Sequence, residues 1–523
     1  MTVPRCTPAF AVALSLSACM VGPNYQRPPP ADPPTLAFKE TTGPVIGAAA
    51  ANFQPAQPRD AIDRGPWWTM YGDPTLDQVA AQVDISNQTL IQAEAAYRQA
   101  RALVRQDASG LYPTISGNAG YTQSGSGSGT SRAVQGTVVN ASQGSVGQFS
   151  AGPTLTWEVD LWGRIRRQVE SDSAAAQASA ADLANARLSA QANVAINYFS
   201  MRISEQRIKL FEASVAAFAR SLQIVQNQVD AGIASRVDLT QAQTQLEQTR
   251  AQLVAENINR AQFEHAVAVL VGKSPSAFSI EPGPPPPQDV PTFDAGLPST
   301  LLERRPDIAA AERLMASANA QIGVAQAAYY PNITLGSTVT LVASGLLPLL
   351  QLSNAVWSVG PQLAATLVDG GALKAQVEGA RAKYDAQVAN YRQTILVAFQ
   401  QVEDALVQQR VLVQQEQVQR AAVAAAREAE QLSLNQYRMG TIPYTTVVVT
   451  QTAALSAEQS LLNVRLSRLT ASANLVLAVG GGWRDTDLPA PMPIGGLDQT
   501  PQPPIPTSQS IAPQRQWWRL WSR

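Results

Sequence analysis

The chain offers few side chains that could carry out a reaction. Its 523 residues include one histidine, His265, and two cysteines, Cys6 and Cys19. A zinc centre built from Cys and His needs about four such ligands, and a disulfide framework needs several paired thiols, so neither is available. A Ser–His or Cys–His nucleophile pair would have to use His265. That residue sits in a Gln- and Ala-rich helical stretch, where a plain surface position is expected. Lys and Arg number 38 against 39 Asp and Glu, which excludes the broad basic surface of a nucleic-acid binder. Charged residues are 15% of the chain, below the usual level of about 25%, while hydrophobic residues reach 45%. An enzyme is therefore not expected, nor a cofactor or a metal. What the elements must position is surface, not reacting groups.

The one thiol with a chemical context lies at the N-terminus. Arg5 is followed by the uncharged apolar stretch Ala9 to Ala18, so residues 1–18 read as a secretory signal. The stretch is shorter than the roughly 20 residues a membrane-spanning helix needs. Leu16-Ser17-Ala18-Cys19 resembles the bacterial lipobox. That resemblance implies that Cys19 becomes the mature N-terminus and carries acyl chains such as palmitate, with Cys6 removed. Residue 20 is Met, and in the lipoproteins it resembles, the absence of Asp there implies transfer to the outer membrane. Residues 19–66, with Pro28-Pro29-Pro30 and Pro33-Pro34, read as an extended lipid-anchored tether.

The body is a tandem repeat. Gly152-Pro153 recurs as Gly360-Pro361, Asp160 as Asp369, and Asn227-Gln228-x-x-x-Gly232 as Asn435-Gln436-x-x-x-Gly440, all at spacings of 208 or 209 residues. Tyr112-Pro113 recurs 218 residues on as Tyr330-Pro331, because the segment after the first copy is longer. The expected organisation is a first repeat at 67–273, a Pro-rich linker at 274–298, a second repeat at 299–483 and an unstructured tail at 484–523. Each repeat should hold a helix, a β-hairpin and a pair of long helices. Thr75 to Ser109, Arg164 to Ala231, Ile233 to Val271, Ala380 to Met439 and Tyr444 to Val479 contain no Gly or Pro and are rich in helix formers. A 68-residue helix is about 100 Å long, which no compact domain can bury. Such helices imply side-by-side packing with a wet face left over.

Between the helices the period changes to two. Phe149 to Val159 alternates Phe149, Ala151, Pro153, Leu155 and Trp157 against Ser150, Gly152, Thr154, Thr156 and Glu158. Ile333 to Leu341 and Ala355 to Leu367 alternate similarly, and Ile115 to Tyr121 does so more weakly. Alternation of this kind marks strands with two different faces, and about 9–11 residues suits a tilted strand crossing a bilayer. Each repeat supplies two such strands and the chain four. An open sheet edge cannot sit in lipid, and single-chain bacterial barrels begin at about eight strands. The hairpins therefore close a barrel between chains, two or three of them, or lie in water.

Several motifs resemble the NodT-type outer-membrane efflux lipoproteins of the TolC superfamily. They are Leu16 to Cys19 with Val21-Gly22-Pro23-Asn24-Tyr25, Trp68 with Asp73-Pro74-x-Leu76, Trp157 to Arg164, Leu297-Pro298-Ser299, Arg304-Arg305-Pro306-Asp307-Ile308, and Gly480 to Trp483. The resemblance spans roughly residues 16–485. It implies an α+β membrane protein, a homotrimer whose four transmembrane β-strands per chain form a twelve-stranded barrel continued by a periplasmic α-helical barrel. It also implies a periplasmic adaptor and a proton-driven inner-membrane transporter as partners, with outer-membrane lipid around the barrel. The implied function is a passive exit duct for small molecules such as drugs and toxic compounds. The alternatives are the exit duct of a type I protein or peptide secretion system and a lipid-anchored structural coiled coil.

The resemblance places a periplasmic tip at the helix-to-helix turns, with Val229, Gly232, Tyr437 and Gly440 contacting the adaptor. Glycine there permits a left-handed backbone, and both may also simply cap helices. The family narrows its pore just beyond, often with aspartates. Here Val449 stands where the second repeat would carry one, and only Asp238 in the first repeat keeps an acid. The expected gate is Val449 with Thr446, tethered by Arg236 and Asp238. An apolar ring of this kind closes by dewetting. Asp238 could equally cap a helix start. Arg304, Arg305 and Asp307 flank Pro306 at a helix start and read as structural. The tail ends in Trp517, Trp518 and Trp521 among Arg515, Arg519 and Arg523, a group suited to lipid headgroups or a partner, unless it is simply an unstructured end.

Overall fold

The structure, a computed structural model, describes residues 20–29, 39, 66–125, 133–134, 137–138, 145–287, 289–290 and 305–481. The signal segment, Cys19, most of the tether, Leu297-Pro298-Ser299, Arg304, Gly482-Trp483 and the tail lie outside the described residues.

The helices are α1 (Pro74–Ser86), α2 (Gln88–Ser109), α3 (Arg164–Asp230), α4 (Arg236–Leu270), α5 (Pro306–Ala327), α6 (Ala372–Arg438) and α7 (Tyr444–Ala478). The main strands are β1 (Thr114–Gly125), β2 (Ser145–Glu158), β3 (Asn332–Ala343) and β4 (Ala355–Ala364). The two halves match in length as well as order. α2 and α5 have 22 residues each, α3 and α6 have 67, and α4 and α7 have 35. At 1.5 Å per residue, α3 and α6 each run about 100 Å. Each folds back on the shorter helix that follows it, α3 on α4 and α6 on α7. α5 packs against both α3 and α6, and α7 also touches α3, which joins the two halves into one body.

The recurring aspartates start the two longest helices. The Asp160 carboxylate accepts from the backbone N–H groups of Ile165 and Arg166, both at 3.0 Å. That of Asp369 accepts from Gly371 at 2.9 Å and Leu373 at 2.7 Å. These bonds satisfy N–H groups that no helical carbonyl can reach. They also hold the Asp369 carboxyl below its ordinary range.

One unbroken sequence run is split. Thr75 to Ser109 contains no Gly or Pro, yet the helix stops at Asn87, whose backbone is extended (φ −66°, ψ 119°). The Asn87 side chain accepts from Leu90 N at 3.0 Å, capping α2, and donates to Leu270 O at 2.6 Å. Ser86 Oγ donates to Val271 O at 2.6 Å beside it. The bend is a tertiary effect: the end of α4 offers carbonyls that reward a break where propensity alone would continue the helix.

The four strands form one antiparallel sheet in the order β1-β2-β3-β4. The two hairpins are local, but the central β2–β3 pairing joins the two repeats, with Trp157 opposite Leu335 and Thr154 opposite Thr338. The register gives each face a dominant character, with Val342 and Val356 among the apolar exceptions on the Ser/Thr face and Gln123 and Ser337 among the polar ones on the other. One face carries Ile115, Tyr121, Phe149, Leu155, Trp157, Ile333, Leu335, Val339, Leu341, Trp357, Val359 and Leu363. The other carries Ser116, Asn118, Ser150, Thr154, Thr156, Thr334, Thr338, Thr340, Ser358 and Gln362. A one-residue slip in any pair would mix the two sets. Gly152 is required at the seam, since a Cβ there would lie 1.8 Å from the Val339 carbonyl oxygen. β1 and β4 form the two edges, with no further strand paired to them among the described residues.

Asn87→Ala removes the α2 cap and the tie to Leu270, so it should lower stability by about 1–2 kcal/mol. A thermal melt followed by circular dichroism checks this, with exposed Thr89→Ala as a near-neutral control.

Candidate functional site

Among the described residues, side chains converge at a tip, at mid-height polar clamps and at the junction between sheet and helices. The tip lies at the far end of α3 and α6 from the sheet. α3 ends in a turn in which Gly232 N–H donates to Val229 O at 2.9 Å and Ile233 N–H to Gln228 O at 2.8 Å. α6 ends identically, with Gly440 to Tyr437 O at 2.9 Å and Thr441 to Gln436 O at 3.0 Å. Both glycines have φ +73°, the left-handed value this C-terminal motif demands. A Cβ at either would meet no atom within 4 Å, so the tip surface beside them is open.

The two turns share one core. Val225 of α3, Ala242 of α4, Tyr437 of α6 and Tyr444 and Val447 of α7 pack together, with Val229 at the edge. The Tyr437 and Tyr444 rings lie 5.1 Å apart. Burial, with the Asp238 charge nearby, raises the Tyr437 phenol. Burial likewise pushes Tyr444 up to about 12, helped by Tyr437 and Asp238. Val449 and Thr446, by contrast, are exposed on α7. Asp238 is occupied at the start of α4, where its carboxylate accepts from Ser235 N at 3.2 Å and Ser235 Oγ at 2.9 Å. Ser235 Oγ in turn accepts from Asp238 N at 3.2 Å, which completes a capping box. Among the described residues no ion pair joins Arg236 to Asp238. Within one chain the structure thus gathers Tyr437, Val229 and Asp238 near one another but leaves Arg236, Thr446 and Val449 on open surface. His265 is exposed on α4.

The mid-height clamp was not visible as a motif. Buried Arg202 donates to Tyr198 Oη at 3.0 Å, Glu205 Oε2 at 2.9 Å and the Glu281 carbonyl at 2.8 Å. Tyr198 Oη donates to Asp73 at 2.6 Å. Arg260 reaches Glu205 at 3.3 Å, Glu264 at 3.1 Å and the Ile280 carbonyl at 2.6 Å. The network therefore binds the linker backbone at 280–283 and the start of α1 to α3 and α4. A second buried acid, Glu416, is surrounded by Arg420, Arg465 and Arg468. Burial alone would raise its carboxyl, but the Arg468 and Arg420 hydrogen bonds outweigh this and lower it. Arg305 ties α5 to both neighbours, donating to Asp307, to Gln401 at 2.8 Å and to the Ala478 carbonyl at 2.8 Å.

At the junction, the part of the expected tether from Val21 to Arg27 is docked against the helices. Val21 N–H donates to Trp162 O at 3.0 Å. Arg167, almost wholly buried, donates to the carbonyls of Val21 and Gly22, each at 3.1 Å, and to Asn24 Oδ1 at 2.9 Å. Tyr25 and Arg27 both donate to Glu312 at 2.9 Å. Burial would raise the Glu312 carboxyl, but Arg27 holds it below the ordinary range. A Cβ on Gly22 would sit 2.4 Å from Gly323 Cα, so the strap lies against the α5 backbone. Nearby, a cavity of about 740 Å³ opens between α2, the sheet and α3, lined by Asp107, Tyr112, Glu158, Arg164 and Gln168.

These features have counterparts among known proteins. The sequence pattern of the outer membrane efflux protein family matches residues 79–273 and again 297–481. The chain belongs to that family. The toluene efflux pump outer membrane protein TtgC of Pseudomonas putida is 30% identical over 481 residues, 90% of this chain and 94% of its own. The cation efflux system protein CusC of Escherichia coli is 28% identical over 478 residues, 91% and 98% of the two chains. The solved outer-membrane channel OprN superposes with a TM-score of 0.75 at 28% identity, covering 89% of this chain and 100% of that one.

In this efflux-family chain the charged clamps escaped the sequence reading because no local spacing links Arg202 to Glu281 or Arg27 to Glu312. The available signal was scarcity: with so few charges, an Arg or Glu inside an Ala- and Gln-rich helix is a candidate for burial. Asp172 on α3 is a further case. Burial, and then its hydrogen bond with Asp107 of α2, raises its carboxyl to about 6, although Gln168 donates to it at 3.0 and 3.1 Å. The raised value means folding favours the protonated acid. Its stabilising contribution is fully present below about pH 4 and is lost as pH rises through 6. Asp172→Asn should therefore flatten the pH dependence of the melting temperature between pH 4 and pH 7, measured against the unaltered protein.

Proposed function

We propose that this protein is the outer-membrane exit duct of a tripartite efflux system, passively conducting small molecules from an inner-membrane transporter and a periplasmic adaptor to the cell exterior. The observation that carries the reading is the placement of a two-faced sheet and an open helical tip at opposite ends of helices about 100 Å long, in a chain of the efflux family. Relatives named for toluene and cation efflux support small-molecule cargo over secreted protein.

The sheet supports a homotrimer. Its apolar face suits hydrocarbon and its Ser/Thr face suits a wet lumen, but its edges β1 and β4 expose backbone groups that lipid cannot satisfy. Three copies joined edge to edge form a closed barrel of twelve strands, within the size range of outer-membrane barrels. Below it the long helices continue as a periplasmic tube. The docked strap supports a lipid anchor at Cys19: Met20 lies against Gly163, at the base of the sheet, where an acyl chain enters the same membrane as the strands.

The two tip turns receive the adaptor. Gly232 and Gly440 keep the surface flat, while Val229 and Tyr437 set the spacing of the turns from within the shared core. Val449 and Thr446 form the pore constriction of the closed trimer, an apolar ring that excludes water in place of a ring of acids that binds cations. Arg236 reaches its partner only across the chain boundary, since Asp238 is already held by Ser235.

Two measurements test this. In planar bilayers Val449→Asp should make the pore more cation-selective and sensitive to divalent block; unchanged conductance would remove Val449 from the constriction. Photoreactive residues at exposed Ile233 and Met439, beside the glycines, should capture a periplasmic adaptor in living cells. Capture of an ATP-driven protein exporter's adaptor would instead assign the duct to secretion.

A further inference from the structure

The loop between β3 and β4 is unlike an ordinary surface loop. Residues 344–354 read Ser-Gly-Leu-Leu-Pro-Leu-Leu-Gln-Leu-Ser-Asn, and no charged residue occurs anywhere from 332 to 368. Leu346 is 67% exposed, Leu347 87%, Leu350 80% and Leu352 89%. The loop is nonetheless ordered. Leu346–Leu349 form a single helical turn, Leu352–Asn354 a 3-10 turn, and Asn354 Nδ2 donates to the Pro348 carbonyl at 2.7 Å. Four leucines are thus held outward by a built scaffold.

The loop of the other hairpin occupies the same place in the repeat, and its residues 126–144 are mostly Ser, Gly, Thr, Val, Asn and Gln. A turn that only had to reverse the chain in water would have that composition in both copies. The leucines also have a direction. The register puts Ala343 and Ala355, at the two feet of the loop, on the apolar face of the sheet, opposite Phe149 and Leu341. The 346–349 turn packs against β2 and β3, and Ala343 beneath it is buried. The loop therefore continues the apolar face instead of standing above the sheet or crossing toward the Ser/Thr face.

We infer that this loop is a membrane-inserting collar whose leucines lie in the acyl chains of the outer leaflet, so that the second hairpin turns within lipid. Long apolar side chains and no charge are what hydrocarbon accepts, whereas backbone polar groups there must be satisfied internally, as the two helical turns begin to do. The inference rests on the reading of the apolar sheet face as lipid-facing.

The test uses the full-length protein in dioleoylphosphatidylcholine vesicles, with a polarity-sensitive thiol fluorophore at Leu347→Cys and, separately, at Val359→Cys on the sheet's apolar face. In the proposed lipoprotein form, with Cys6 removed and Cys19 acylated, the introduced thiol is the one available to the label. Doxyl groups on the lipid acyl chains should quench both labels severalfold more than aqueous iodide does. Quenching of Val359 by lipid with Leu347 quenched by iodide would overturn the collar while leaving the lipid-facing sheet intact. Protection of Leu347 from both quenchers, with disulfide-linked dimers at that position, would mean the leucines meet one another across the pore. If Val359 itself is quenched by iodide, the underlying reading of the sheet fails.

Discussion

A peptide group in hydrocarbon has no water to bond to, and that is the constraint a sheet placed in the outer membrane, as proposed for this one, has to meet. Within the chain it is met at three of the five strand boundaries: β1–β2, β2–β3 and β3–β4 are paired, with one break in the β2–β3 ladder at Gly152-Pro153, and the outer edges of β1 and β4 are left. Side-chain chemistry follows the same division. The register gathers the aromatic and leucine strand residues on one face, and Thr338 and Ser358 pair at 2.8 Å on the other, which also carries Val342 and Val356. The assembly proposed here is the smallest step that satisfies the last two edges within the family's architecture.

The helices answer a different requirement, that of carrying a wide structure through an aqueous space without a thick core. Their buried residues are largely alanine, valine and serine, which let neighbouring helices approach closely along great length. Small contacts of this kind leave little apolar area per residue, so the buried ionic clamps take on the task of fixing rotation and register. Arg202 with Glu205 and Arg260, Glu416 with its three arginines, and Arg305 with Gln401 and the end of α7 each join segments distant in sequence. Removing one partner of such a group leaves a buried charge alone, which typically costs about 3–5 kcal/mol.

The tip is the least constrained end. Its shared core of Tyr437, Tyr444, Val225 and Val447 is apolar and compact, and it sits just inside two turns whose outer surface is open. Asp238 has a local use: its carboxylate caps the first turn of α4, where it accepts from Ser235.

Much of this was legible in the chain itself. Period-two alternation in Phe149 to Val159 and Ile333 to Leu341 gave the strands and their faces, because side chains in a strand must alternate. The absence of Gly and Pro gave the long helices, and the repeated Asn-Gln-x-x-x-Gly placed both tip turns, because glycine alone takes φ +73° without strain. Asp160 and Asp369 recur because each long helix needs its first N–H groups satisfied. What tertiary structure alone decided is what depends on contacts between distant segments. The break at Asn87 exists because Leu270 waits beside it. The docking of residues 20–29 depends on Arg167 and Glu312, and the β2–β3 seam depends on Gly152 meeting Val339. No periodicity records such meetings, since each is a property of two segments brought together and of neither one alone.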